Sequence, residues 1–118
     1  MHSEEQKIEQ QEKPEQLYQH IAPEQNPAVA LCYESYRRAL DEASEKRMFT
    51  GKAFRLARFV YLKAMPPLAG RENIRDFIAC VTHGMLLKII EPEEATRLFY
   101  AAQVAQSGAN REPRERSA

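Results

Sequence analysis

Two consecutive prolines, Pro66 and Pro67, interrupt the apolar half of this 118-residue chain. Proline fixes φ, lacks an amide hydrogen and disfavours the helical conformation of the residue before it, so a helix has to end at this point. On both sides of the pair, apolar residues recur at spacings of three and four, which is the period of a helix packed along one side. The sequence has only four glycines. We therefore predict an all-α protein, organised as a small four-helix domain with a C-terminal helical hairpin.

The four helices are predicted over about residues 27–49, 52–65, 72–90 and 92–106. Asn26 followed by Pro27 is a favourable start for the first helix, since Asn caps free amides and Pro suits the first helical position. Gly51 is predicted to end that helix in a left-handed conformation, with Thr50 as an alternative cap for the next helix.

The two ends of the chain differ from this central part. Residues 1–26 are rich in Gln and Glu, and residues 107–118 contain no apolar residue larger than Ala. Such segments bury too little apolar surface to offset the entropy of ordering, so both are predicted to be disordered tails. The predicted domain, residues 27–106, is close to the lower size limit for a self-sufficient core.

The formal net charge of zero hides a separation of charge along the chain. Residues 1–27 carry six acids and two bases, whereas residues 28–70 carry eight bases and four acids. An acidic tail that folds over the basic surface, in competition with a partner, is one hypothesis that this separation suggests.

The second predicted helix is apolar on nearly every side, which is unusual in so small a domain. Leu56, Phe59 and Leu62 lie among its basic residues and are predicted to face a partner. The bases predicted to contact phosphate or an acidic partner are Lys52, Arg55, Arg58 and Lys63. Long basic side chains that only cover apolar surface are the alternative interpretation.

No catalytic residue is predicted. The chain has no phosphate-binding glycine motif, no Cys-x-x-Cys and no nucleophile elbow. Cys32 and Cys80 are interpreted as buried structural thiols, with a disulfide or redox pair as the alternative. His83 lies opposite the apolar stripe of its helix and is predicted to be a solvated surface histidine.

No metal, cofactor or small-molecule substrate is predicted either. Glu91, Glu93 and Glu94 have no histidine one helical turn away, and they suit the positive end of the fourth helix. The sequence begins with no signal-peptide pattern and contains no run of 18 apolar residues. We expect a cytoplasmic protein that is not inserted in a membrane.

The segment "LKIIEPEEATRLFYAAQVA", residues 87–105, has the form of a helix, a turn and a helix. A DNA-reading unit would present the start of its second helix to the duplex. Here that start carries three carboxylates, which repel phosphate. The segment is therefore predicted to be a packing hairpin.

From Pro66 onward the chain resembles the C-terminal hairpin of a group of small uncharacterised bacterial proteins. The similar features are the Pro66-Pro67-Leu68 entry, Ile90 in the turn and a final helix with a Leu-Leu-Tyr-Ala-Leu-Gln type of motif. The residues that match this motif are Ala95, Leu98, Phe99, Tyr100, Ala101 and Gln103. The resemblance covers residues 66–105; it implies a helical hairpin and no known activity. A Cys-rich segment that precedes the hairpin in many of these proteins has no counterpart here.

Two functions follow from these patterns. The first is a non-enzymatic protein-interaction module that binds itself as a homodimer, or another protein, through Leu56, Phe59 and Leu62. The second is a nucleic-acid-binding accessory or regulator that acts through the basic stripe of the second helix.

Overall fold

The structure is a computed structural model in which residues 25–110 are described, with side chains to residue 108. This part of the chain contains four α-helices and no strand, which confirms the predicted all-α fold. The helices are α1 (Pro27–Glu45), α2 (Thr50–Ala64), α3 (Arg71–Leu86) and α4 (Pro92–Asn110). Residues 107–110, predicted to belong to a tail, instead continue α4. The rest of the two predicted tails, residues 1–24 and 111–118, lies outside the described residues.

The start of α1 is the predicted one. The Asn26 side-chain oxygen accepts hydrogen bonds from the backbone amides of Ala28 (3.0 Å) and Val29 (3.2 Å), and Pro27 takes the first helical position. The Asn26 side-chain nitrogen also lies 3.5 Å from the Asp76 carboxylate on α3. One capping residue thus begins α1 and joins it to α3.

The end of α1 differs from the prediction. The residue in the left-handed conformation is Arg47 (φ 55°), and Gly51 lies inside α2. The Arg47 amide donates to the Ser44 carbonyl and the Met48 amide to the Ala43 carbonyl, each at 3.0 Å. This pair of bonds closes a helix only if its last turn is followed by a left-handed residue, a conformation that costs a non-glycine residue about 1 kcal/mol. The predicted Thr50 cap is also wrong, since Phe49 occupies the N-cap of α2 without a side-chain hydrogen bond.

The end of α3 repeats this arrangement. Lys88 is left-handed (φ 61°), and the Ile89 amide donates to the Gly84 carbonyl at 2.8 Å. The third helix therefore ends at Leu86 and not near residue 90. The chain turns directly into Ile89 and Ile90, both of which are buried.

The helices form two hairpins. In the first, α1 packs against α2; in the second, α3 packs against α4, as the sequence predicted. The contact of α1 with α3 is the main one between the hairpins. The largest fully buried side chains are Tyr61, Ile74, Ile90, His83, Val29, Val81, Cys32 and Cys80. Among the described residues, no helix is long and apolar enough to cross a membrane.

Candidate functional site

Phe59, the most exposed apolar side chain of α2, lies on the face that points away from the core. The helix buries Ala53, Ala57 and Tyr61, which recur at intervals of four residues. The side chains that project from the opposite side, here called the outer face of α2, are Lys52, Arg55, Leu56, Phe59, Leu62 and Lys63. Six of the seven residues predicted as partner contacts therefore share one surface.

The apolar residues of the outer face are not equally exposed. Phe59 is 58% exposed and Leu56 is 43% exposed, whereas Leu62 is partly buried and packs against the core. Leu62 lies at the edge of the face, where it packs against the core and leaves only part of its side chain available to a partner. Phe59 and Leu56 are the two large apolar side chains that the fold leaves uncovered on this surface.

The bases of the outer face surround this apolar centre. Lys52, Arg55 and Lys63 are exposed, and the Lys63 ammonium lies 5.6 Å from the centroid of the Phe59 ring, within range of a cation–π interaction. No acidic residue occurs in α2. The hypothesis that the acidic tail covers this surface concerns residues that lie outside the described part of the chain.

Arg58 does not belong to the outer face. It is partly buried and makes an ion pair with Glu94 on α4. The prediction that Arg58 contacts phosphate or an acidic partner is not supported by this placement, because its guanidinium already binds a carboxylate of the same chain. The ion pair instead links the first hairpin to the second.

An open cleft of about 240 Å³ lies beside Arg58, between α2 and the turn that follows α3. Arg55, Arg58 and Lys88 contribute positive charge to its lining, Glu91 contributes negative charge, and Tyr36 is among the aromatic residues. Because Glu94 already pairs with Arg58, the charges nearly balance. The cleft is therefore a weak candidate for an anion site.

The predicted solvent exposure of His83 is wrong, since its side chain is fully buried. The Tyr61 hydroxyl donates to the Cys80 carbonyl (2.5 Å) and lies 3.0 Å from His83 Nδ1. The ring of Tyr33, on α1, meets the His83 ring edge-on at 5.4 Å between centroids. Residues of the first hairpin therefore cover His83. They pack on the side of α3 that the position of its apolar stripe had predicted to face solvent.

A sequence signal for this burial was present. Between Asp76 and Lys88 the chain contains no Asp, Glu, Lys or Arg. A helical segment without charge for three turns is typical of burial on more than one side. That absence, and not the position of the apolar stripe, was the better guide to the surroundings of His83.

The two cysteines belong to the same buried region. Cys32 and Cys80 are both fully buried, as predicted, and their sulfur atoms lie 3.7 Å apart across the contact of α1 with α3. Tyr36 packs edge-on against Tyr61 at 6.4 Å, and burial together with the neighbouring Tyr33 raises the pKa of Tyr36. The polar groups of this cluster thus join α1, α2 and α3.

The described residues offer no evident metal site, since no three His, Cys, Asp or Glu side chains converge in residues 25–110. In the same part of the chain, every buried side-chain nitrogen or oxygen has a hydrogen-bond partner. The buried cluster is therefore a satisfied packing network, and the outer face of α2 is the better candidate for a functional surface.

Comparison of the chain with protein-family models, with curated proteins and with solved structures finds no significant match in any of the three. The resemblance of residues 66–105 to the group of small bacterial proteins stays a prediction.

Proposed function

We propose that this protein is a non-enzymatic, cytoplasmic interaction module that self-associates as a homodimer through the outer face of α2. The observation that supports this proposal is the exposure of Phe59 and Leu56 at the centre of one helix face. Large apolar side chains grouped on the surface of a small protein are typical of a binding surface. A second copy supplies a matching surface by two-fold symmetry, with no other component required.

The dimer is expected to be weak. Full burial of a Leu or Phe side chain contributes about 1.5–3 kcal/mol, and these two side chains are already about half covered. Four such side chains in the dimer contribute roughly 4 kcal/mol, against an association cost of at least ~4 kcal/mol before other contacts are counted. Leu62 and its neighbours have to supply the rest. Because even a Kd of about 1 mM requires about 4 kcal/mol of net association free energy, the dimer should be populated only at high protein concentration.

The charge of the outer face sets the salt dependence of this association. Lys52, Arg55 and Lys63 of one copy approach the same residues of the other without an acidic residue of α2 between them. Salt screens repulsion between exposed charges over a Debye length of about 8 Å at physiological ionic strength. Added salt should therefore strengthen the homodimer.

Nucleic-acid binding is the second candidate, and a specific observation favours it. The outer face carries three exposed bases around an exposed aromatic ring, a combination that contacts phosphates and stacks on bases. Its salt dependence is opposite, because each neutralised duplex phosphate lowers log affinity by about 0.9 per unit of log salt. Lys52→Glu/Arg55→Glu should then abolish binding to a DNA duplex while leaving the fold intact.

The homodimer is tested with the double variant Leu56→Glu/Phe59→Glu. Light scattering coupled to size-exclusion chromatography, over a range of loading concentrations, should show a shift toward dimer for the wild type and a monomer for the variant. Val104→Glu is the matched control, since Val104 on α4 is 55% exposed and lies outside the outer face. It should behave as the wild type.

Helical circular dichroism and the thermal midpoint of each variant show whether it is folded. If the folded double variant keeps the mass–concentration curve of the wild type, the outer face of α2 is not the dimer interface. If the wild type stays monomeric at every concentration, the homodimer is excluded.

A further inference from the structure

The only two cysteines of the chain meet where the two hairpins join. Cys32 on α1 and Cys80 on α3 are separated by 48 residues, and their sulfur atoms lie 3.7 Å apart. Both side chains are fully buried. Neither cysteine therefore has a competing thiol in its own chain, and burial screens each from the cysteines of other molecules.

We propose that Cys32 and Cys80 form a reversible intramolecular disulfide that fixes α1 against α3. A disulfide has an S–S distance of about 2.05 Å, so the two sulfur atoms have to approach by roughly 1.7 Å. The proposal requires that rotation about the Cα–Cβ bonds and a small shift of one helix supply this movement. The proposal is independent of the outer face of α2 and of any partner bound there.

The reaction removes two hydrogen atoms from the protein. Two S–H bonds break, one S–S bond forms, and two electrons and two protons pass to an oxidant. A low-molecular-weight disulfide accepts them by exchange, through a mixed disulfide with one cysteine that the other then resolves, and is released as two thiols. The azo compound diamide accepts the same two electrons and two protons at its N=N bond and becomes a hydrazine.

The surroundings of the two thiols slow their oxidation. The hydrogen bond with Cys32, followed by burial, raises the pKa of the Cys80 thiol well above its ordinary value. Because the thiolate is the reactive species, the folded protein should react slowly with an oxidant. An oxidant can reach the two buried thiols only when α1 separates transiently from α3. Near the start of α1, the two helices are joined by a long hydrogen bond of 3.5 Å from Asn26 to Asp76.

Once formed, the disulfide holds together the two hairpins, whose main contact is that of α1 with α3. It closes a long loop, so it restricts the unfolded chain strongly. The oxidised protein should therefore resist unfolding more than the reduced protein does, and it should remain a single chain.

The test exposes the folded wild type to diamide and follows three quantities. After the protein is denatured and alkylated, the intact mass should show loss of two hydrogen atoms and no alkyl group, and reductant should restore two alkylatable thiols. Electrophoresis without reductant should show a single chain. The thermal midpoint should rise by roughly 10 °C on oxidation. A sub-denaturing concentration of urea should accelerate the reaction.

Cys32→Ser and Cys80→Ser are matched controls, each with one thiol left. Neither should acquire an intramolecular bond or a higher thermal midpoint with diamide. Two alkylatable thiols in the wild type after prolonged diamide treatment, both without urea and in sub-denaturing urea, overturn the proposal. A disulfide-linked dimer as the product or an oxidised monomer with a lower thermal midpoint overturns it as well. These outcomes concern the wild type alone, so a serine variant that fails to fold does not affect them.

Discussion

Gly84 lies where α3 packs tightly against Ile90 and Tyr61. A Cβ atom at this position would lie 2.7 Å from Ile90 Cδ1, 2.9 Å from Ile90 Cγ1 and 3.1 Å from Tyr61 Cε1. Its carbonyl also accepts the hydrogen bond from Ile89 that closes α3. The absence of a side chain therefore allows the turn after α3 to fold back onto the helix.

Gly84→Ala should destabilise the protein by roughly 1–2 kcal/mol, because overpacking costs about 1–3 kcal/mol and the better helix propensity of Ala offsets up to about 1 kcal/mol. Gly51→Ala is the matched control, since Gly51 lies in α2 with no atom within 4 Å of the added Cβ. It should be neutral or stabilise by up to about 1 kcal/mol. Urea denaturation of both variants measures the two free energies of unfolding. A stabilised Gly84→Ala would contradict the tight contact.

At the scale of the elements, the side chain of Tyr61 joins α2 to α3. Its hydroxyl contacts the Cys80 carbonyl and His83 Nδ1, and its ring packs edge-on against Tyr36 and close to Gly84. The position is fully buried. A polar contact in such surroundings matters more than the same contact at the surface, since water cannot replace it.

Tyr61→Phe should destabilise the protein by about 1–3 kcal/mol, because it removes the buried hydroxyl and both of these contacts while the ring is kept. Tyr100→Phe removes a hydroxyl from an exposed tyrosine of α4 and should change stability by less than about 0.5 kcal/mol. Chemical denaturation of the two variants provides the comparison. Equal stabilities of Tyr61→Phe and the wild type would show that these contacts do not hold α2 to α3.

The elements also show what the sequence could and could not predict. Helix starts were predictable where chemistry is local, as at Asn26 and at Pro92. The end of α2 was also predictable, because Pro66 and Pro67 come just after it. The ends of α1 and α3 were not, because their left-handed residues are Arg47 and Lys88, whose side chains give no sign of that conformation.

The tertiary contacts of two residues were also hard to predict from the sequence. His83 is buried by contacts with Tyr33 and Tyr61, and Arg58 forms an ion pair with Glu94. These partners are far away in the sequence, so helical periodicity within one element contains no information about them. The outer face of α2 was predictable because its residues recur at helical spacing: Leu56 is four residues from Lys52, and Phe59 is four residues from both Arg55 and Lys63.

At the scale of the whole molecule, two hairpins share one small core and leave the outer face of α2 open. Leu62 packs against the core and Arg58 pairs with Glu94, whereas Phe59 and Leu56 remain exposed with bases around them. A partner that covers this face has to bury the apolar centre and either tolerate or neutralise the positive charges of Lys52, Arg55 and Lys63. In the homodimer that we propose, a second copy buries the apolar centre, and added salt screens the repulsion between the bases.

The most direct test of the homodimer is the salt dependence of the wild-type mass. Sedimentation equilibrium or light scattering at fixed protein concentration, from low to high sodium chloride, should show the dimer fraction rising, with a 260/280 nm absorbance ratio typical of protein throughout. A mass that falls with salt, together with nucleic acid lost from the peak, would contradict the homodimer and assign the basic face to nucleic acid.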